Sequence, residues 1–226
     1  MTEVTGALGA GDGEETERMK IDEPVLEGRL VRLEPLGRGH ADDLATAAEE
    51  DRGSYEFTLV PRAEGVGGYL DGQLARAGQG LVPFAQVRRA DGRAVGCTAY
   101  WDPRRWPGRD DLRAIMIGFT WLAASAQGTG INTEAKLLLM GHAFAGLGVE
   151  RVDFVCDARN ARSRRALAAL GATFEGVLRN WSLSMAPDEE GQLRDTAMYS
   201  VIAPEWDQVR RGLVTRLAAY LPGPVS

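Results

Sequence analysis

Apolar positions change their period many times along this chain, and each change marks an element. The run 25–36 (Val-Leu-Glu-Gly-Arg-Leu-Val-Arg-Leu-Glu-Pro-Leu) reads as a first strand that leaves through Pro35, since proline suits a strand exit better than a strand centre. His40-Ala-Asp-Asp-Leu opens a helix to about residue 50, with Asp42 and Asp43 in the first turn, where the helix dipole favours acids. His40 is read as a helix-start residue rather than a base. The stretch 53–61 breaks the pattern with a Tyr55-Glu56-Phe57 cluster. Tyr69, Leu70, Leu74 and Ala77 then recur at helical spacing. Two β-like runs, 83–87 and 94–101, flank Arg88-Arg89-Ala90-Asp91-Gly92-Arg93, where Asp-Gly signals a hairpin. A polar, proline-containing loop over 102–111 surrounds Trp106, whose indole is expected to pack back on the sheet, with substrate contact as the alternative.

Residues 115–122 read as a strand, and a helix over 132–145 carries Leu137, Leu138, Met140, Ala143 and Phe144 before Gly146 and Gly148 end it. The compact apolar run 151–156 has the look of a buried parallel strand. A short helix over 161–170 stops at Gly171. The segments 172–185 and 192–202 form a long hairpin around 187–191. Pro204 starts a last helix with Trp206, Val209, Leu213 and Leu217 on one face. The order is β, α, α, ββ, β, α, β, α, ββ, α, which predicts a mixed α/β (α+β) sheet with helices on its faces.

Composition narrows the partners. The chain has 226 residues, 44% hydrophobic and 26% charged, an ordinary globular balance with enough length for one sizeable domain. We read residues 1–23, rich in Gly, Glu, Asp and Thr, as a disordered acidic tail, and 24–222 as the folded domain. A net charge of -6 and a pI near 5.1 argue against a nucleic-acid partner. The sequence has no apolar run of about 18 residues and no secretory signal, so no membrane partner and a cytoplasmic location are expected. Cys97 and Cys156 sit in strand-like runs, as in a reduced compartment, and no metal site is expected from two histidines and no Cys-x-x-Cys spacing.

The candidate chemistry lies at Gln127-Gly128-Thr129-Gly130-Ile131-Asn132-Thr133, between a strand and a helix. A helix start of this kind presents unpaired backbone N–H groups at the positive end of the dipole and binds anions. A nucleoside-triphosphate P-loop would need Gly-x-x-x-x-Gly-Lys-Ser/Thr, which is absent. A dinucleotide fingerprint would need a third glycine, where Thr133 stands, and an acid ending the next strand.

The string Gln-x-x-Gly-x-Asn resembles the Arg/Gln-x-x-Gly-x-Gly/Ala acetyl-coenzyme A signature of the GNAT N-acetyltransferases. Further strings are similar to the RimJ/RimL-like branch: Gly-Phe-Thr-Trp-Leu (118–122), Asn-Thr-Glu-Ala-Lys-Leu-Leu-Leu (132–139), Asp-Ala-Arg-Asn-Ala-Arg-Ser (157–163), Glu-Gly-Val-Leu-Arg (175–179) and Arg-Asp-Thr-Ala-Met-Tyr-Ser-Val (194–201). The resemblance implies a single domain whose twisted, mostly antiparallel sheet splays between two parallel strands. It implies acetyl-CoA as acyl donor and a primary amine as acceptor. Backbone amides of Gly128, Thr129, Gly130, Ile131, Asn132 and Thr133 would cradle the pyrophosphate, with Gln127 steadying the loop. The main chain at Thr120, Trp121 and Leu122 would pair with the pantetheine arm and serve the oxyanion. Asn160 would bond the same arm, and Ser163 would lie near the departing thiol.

Two departures bear on the mechanism. Many members of the family carry a tyrosine seven residues after the asparagine, where this chain has Leu167, and close relatives often have a glutamate at the position of Met116. The catalytic candidates are therefore Ser163 as acid, with water or Tyr199 as other sources of the proton, and Glu56 as base, ahead of Asp102 and Asp195. A non-catalytic acyl-CoA sensor or scaffold and a transferase for a larger acyl group such as succinyl stay open, as does a homodimer through the last helix.

Overall fold

The computed structural model describes residues 21, 23–77, 79–109, 111–186 and 188–221. The tail assigned to 1–23 lies outside these except for Ile21 and Glu23, and Ile21 is buried in the core.

The segment 25–36 forms two strands rather than one: β1 (Leu26–Glu27) folds back antiparallel on β2 (Val31–Pro35). The reversal is held by a distant carboxylate. Arg29, Leu30 and Val31 donate their amides to Glu134 at 2.9, 2.6 and 2.8 Å, and a Cβ on Gly28 would overlap that carboxylate. Next come α1 (Ala41–Ala48), α2 (Val66–Ala77), β3 (Val82–Arg88), β4 (Ala94–Arg104) and β5 (Ala114–Leu122). They are followed by α3 (Ile131–Gly141), β6 (Arg151–Asp157), α4 (Ala161–Ala169), β7 (Thr173–Leu183), β8 (Leu193–Ile202) and α5 (Trp206–Leu217). The helix expected over 132–145 gives way to a wider π turn at His142–Gly146. Among the described residues no helix is long and apolar enough to cross a membrane.

The eight strands form one sheet in the order β1-β2-β3-β4-β5-β6-β8-β7. Every pairing is antiparallel except β5 with β6, which pair only at Ala114–Met116 against Arg151–Asp153. Beyond those residues β5 follows β4 as far as Leu122↔Gly96, while β6 follows β8 as far as Asp157↔Thr196. The sheet therefore splays open between its two parallel strands, as the family resemblance implies. The closed end is pinned by Asp153, fully buried, whose carboxylate accepts from Arg104 and from Arg151 Nε at 2.6 Å.

Strand alternation places the helices. On β4, Thr98 and Tyr100 meet Lys136 and Leu139 of α3, while Cys97 faces Tyr69 of α2 on the other side. Phe84 and Tyr100 meet edge-on at 5.8 Å, and with Leu33, Phe154 and Leu139 they form the centre of the core. Each such side chain contributes roughly 1.5–3 kcal/mol by burial. Phe144 stacks on Trp206 at 5.3 Å, which docks α5 against the end of α3. Trp106 does not pack back on the sheet: it is 47% exposed, carried outward on the loop that follows β4.

Candidate active site

The turn from β5 to α3 depends on two glycines in the left-handed region, Gly128 at φ 75° and Gly130 at φ 86°. Gly130 is the N-cap of α3 and has no side chain to offer, so the first-turn amides of Ile131, Asn132 and Thr133 have no side-chain cap. The start of α4 behaves differently: Asn160 Oδ1 accepts the Ser163 amide at 2.9 Å and caps it. Asn132 Oδ1, beside the uncapped turn, is shielded from water and has no hydrogen-bond partner. A pocket of about 340 Å³ adjoins the turn, lined by Arg29, Leu30, Arg88, Arg89, Thr129 and Ile131. Three guanidinium-bearing side chains beside an uncapped helix start suit a phosphate-rich ligand. These arginines escape sequence reasoning because Arg88 and Arg89 read as a hairpin turn and Arg29 as part of a strand.

A second group of contacts borders the mouth of the splay. Ala123 N donates to Val95 O at 2.8 Å, so by antiparallel alternation the amide and carbonyl of Leu122 turn away from β4. That carbonyl accepts from Tyr55 Oη at 2.9 Å and from Gln127 Nε2 at 2.8 Å. Gln127 also donates to Ser54 Oγ at 3.0 Å, Arg162 to Ser54 O at 3.3 Å, and Arg159 lies over the Phe57 ring at 5.1 Å. Residues 54–57 thus link the end of β5 to the residues that open α4. Arg52 holds this segment by donating to the carbonyls of Ala48, Val60 and Pro61 at 2.6–3.0 Å. The Trp121 carbonyl accepts from Gln86 Nε2 at 3.2 Å.

Between Gly118 and Trp121 the ladder with β4 slips by one residue, and Phe119 takes φ 51°, an unusual conformation for a non-glycine residue. Thr120, partly exposed, follows this bulge. Its hydroxyl lies 2.9 Å from Thr98 Oγ1 and accepts from Lys136 Nζ at 2.7 Å. Lys136 is buried, and burial pulls its pKa down to about 7.

The predicted catalytic residues are differently placed. Glu56 is exposed between Tyr55 and Phe57. Ser163, partly buried on the first turn of α4, lies near the thiol of Cys156, whose pKa burial pushes up. Cys97 is pushed up to about 12 by burial, and neither thiol suits a nucleophile. Met116 and Leu167 are both buried and apolar. Tyr199 accepts from Arg164 at 3.3 Å through its hydroxyl, while Asp102 and Asp195 are exposed.

A mixed sheet opened between two parallel strands, with a side-chain-uncapped helix start after the first of them, is a geometry suited to an extended phosphate-bearing ligand. Residues 30–173 match the model of the acetyltransferase (GNAT) domain, and the chain belongs to that family. It is an acyltransferase of GNAT type, and acetyl-CoA is the family's acyl donor. A putative acetyltransferase from T. thermophilus is 35% identical over 88% of this chain and 100% of its own, with a TM-score of 0.72. A GCN5-related N-acetyltransferase from Brucella melitensis is 28% identical over 88% of this chain and 87% of its own, with a TM-score of 0.75. RimL, a ribosomal L7/L12 alpha-N-protein acetyltransferase solved with coenzyme A, shares the fold at 19% identity over 80% of this chain and 97% of its own, TM-score 0.61. No curated protein matches the chain.

Proposed function

We propose that the protein transfers an acetyl group from acetyl-CoA to a primary amine within a ternary complex. The observation that carries the reading is the side-chain-uncapped start of α3 beside Arg29, Arg88 and Arg89, on the helix that follows β5, one of the two strands that splay apart. The amides at 128–133 and these arginines would hold the pyrophosphate and its neighbouring phosphate. The main chain at Thr120, Trp121 and Leu122 would align the pantetheine arm, with Asn160 also bonding it. Acetyl-CoA supplies the thioester: the carbon–nitrogen bond forms as the carbon–sulfur bond breaks, and the sulfur leaves with a proton. Ser163 stands on the α4 side as a donor for that proton, and Glu56 borders the side from which an amine would enter.

The acceptor we infer is a protein or peptide N-terminal amine, as the RimJ/RimL-like strings suggest, with small-molecule amines as the alternative class. A second reading has a specific observation behind it. Met116 and Leu167 place buried apolar groups at two positions where relatives put an acid or a hydroxyl, which suits an acyl-CoA sensor. Thiol release measured with acetyl-CoA and succinyl-CoA against a panel of N-terminal peptides, aminoglycosides and polyamines separates these readings. Release with an amine from acetyl-CoA supports the proposal; binding of coenzyme A without release from any amine supports the sensor.

A further inference from the structure

Of 26 basic residues other than histidine, only Lys20 and Lys136 are lysines; the rest are arginines. An arginine stays charged at any accessible pH, whereas a lysine can give up its proton. The chain places a lysine at a site that excludes water. Lys136 is 4% exposed and forms no ion pair among the described residues; its Nζ contacts are the hydroxyls of Thr98 at 3.0 Å and Thr120 at 2.7 Å. Ionisable groups on the surrounding elements are engaged elsewhere or exposed. Glu134 binds the amides of 29–31, Tyr100 donates to the Leu139 carbonyl, and His142 lies against the Tyr100 ring. Glu27 pairs with Arg89, Arg32 with Glu34, Arg88 with Asp91, and Arg104 with Asp153. Asp207, Arg210, Arg211 and Arg216 of α5 are exposed.

The two hydroxyls form a path. Thr98 and Thr120 lie 2.9 Å apart, and both reach the Gly118 carbonyl at the bulge, at 3.4 and 3.2 Å. Thr120 is partly exposed on the strand that borders the splay, so the path runs from a water-excluded amine to the place where an acyl group and an amine would meet. We propose that Lys136 is the proton-accepting group of this site, taking through the Thr120 hydroxyl the proton that an acceptor ammonium must lose before it can attack. In that step Thr120 passes its hydroxyl proton to the Nζ lone pair while it takes one from the acceptor nitrogen. One N–H bond breaks on the acceptor, one forms on Nζ, threonine is unchanged, and Nζ returns its proton through the Thr120 hydroxyl to water after product leaves. Lys136 acts through Thr120 and is a positioning residue rather than one that touches substrate. Burial favours the neutral amine near pH 7, which such an acceptor requires.

The inference rests on the transferase reading, and the test separates the two. With lysine ¹³Cε-labelled full-length protein, only two lysine resonances arise, and Lys136→Met assigns them. In the ligand-free protein the Lys136 resonance is expected to titrate near pH 7 and the other well above pH 9. Lys136→Arg and Lys136→Met are expected to lose at least tenfold in kcat, to lose the rising limb of the pH profile between pH 6 and 8, and to keep coenzyme A affinity within threefold by calorimetry. Thr120→Val, which leaves the lysine in place, serves if the Lys136 variants do not fold; it is expected to give the same kcat loss with the Lys136 titration still visible. A Lys136 resonance that stays cationic through pH 9 overturns the proposal. So does a Lys136→Arg or Thr120→Val variant with wild-type rate and pH profile. If the wild type fails to bind coenzyme A, the transferase reading itself falls, and this proposal falls with it.

Discussion

Glu134 provides a quantitative test of how α3 is anchored to the β1–β2 reversal. Its carboxylate, 5% exposed, accepts three amides from the β1–β2 reversal: Arg29 on one oxygen, Leu30 and Val31 on the other. Hydrogen bonds to an ionised acceptor contribute about 1.5–3 kcal/mol each, and a buried amide left without a partner costs about 1–3 kcal/mol. Glu134→Ala strands the amides of Leu30 and Val31, the latter in a fully buried residue. Relief of the carboxylate's own desolvation offsets part of that loss, so the net destabilisation is expected at about 3–5 kcal/mol. Glu134→Gln keeps one carbonyl oxygen, able to serve Leu30 and Val31, but turns its NH2 donor toward the part-buried Arg29 amide; about 1–2 kcal/mol is expected. Gly28→Ala drives a methyl into the same carboxylate and into the Val31 carbonyl and is destabilising too. Its effect combined with Glu134→Ala is less than additive, because the two share one contact. Urea unfolding followed by circular dichroism measures all four variants, and coenzyme A calorimetry reads the loosening at Arg29 and Leu30 beside the pocket. A Glu134→Ala variant within 1 kcal/mol of wild type, or fully additive with Gly28→Ala, would show that the carboxylate does not anchor this reversal.

Two further consequences follow from the geometry. Tyr55→Phe removes one of two donors to the Leu122 carbonyl, so stability by urea unfolding is expected to fall by about 1 kcal/mol. Coenzyme A affinity should change little, because Gln127 still holds that carbonyl; a large loss of affinity would contradict this. Lys136 gives stability a defined pH dependence. Its folded pKa of about 7 lies below the value near 10.4 of an unfolded lysine, so between these the unfolded state binds one more proton and stability rises with pH. Lys136→Met is therefore stabilising most at pH 6. Its advantage over wild type in urea unfolding should shrink by up to about 1.4 kcal/mol per pH unit between pH 7 and 10. A gap constant across that window would refute the assignment.

Local chemistry was legible in the sequence, and contacts between distant segments were not. The glycines at 128 and 130, the strand before them and the helix after them are neighbours in the chain, so their geometry follows from turn chemistry and period alone. The splay was implied by the family resemblance alone: a helical connection permits β5 and β6 to run parallel but does not require it, since β2 and β3 are joined through helices and pair antiparallel. The single strand expected over 25–36 breaks because a carboxylate about a hundred residues away captures its amides. Glycine within a strand pattern was the available signal for that break. Glu134 and Lys136 fall inside the expected helix but were not singled out by its apolar period, yet both are buried, one against a turn and one against two threonines. A period cannot show which polar residues find buried partners. The arginine-lined pocket was likewise hidden, because its walls come from β1–β2, the β3–β4 turn and α3.

The turn at 127–133 is proposed to hold the phosphates of coenzyme A. Gly128 suits the test better than Gly130, because a Cβ on Gly130 would overlap Tyr220 and Leu30, whereas one on Gly128 meets nothing within 4 Å. Asparagine and aspartate both tolerate the positive φ there and are nearly equal in shape, so Gly128→Asn and Gly128→Asp differ chiefly by one negative charge. Calorimetric titration of coenzyme A is predicted to show binding by the wild type and by Gly128→Asn. Gly128→Asp should bind about 10- to 100-fold more weakly than Gly128→Asn, as expected for a like charge placed near the pyrophosphate. Equal affinities for the two variants would contradict the assignment of this turn.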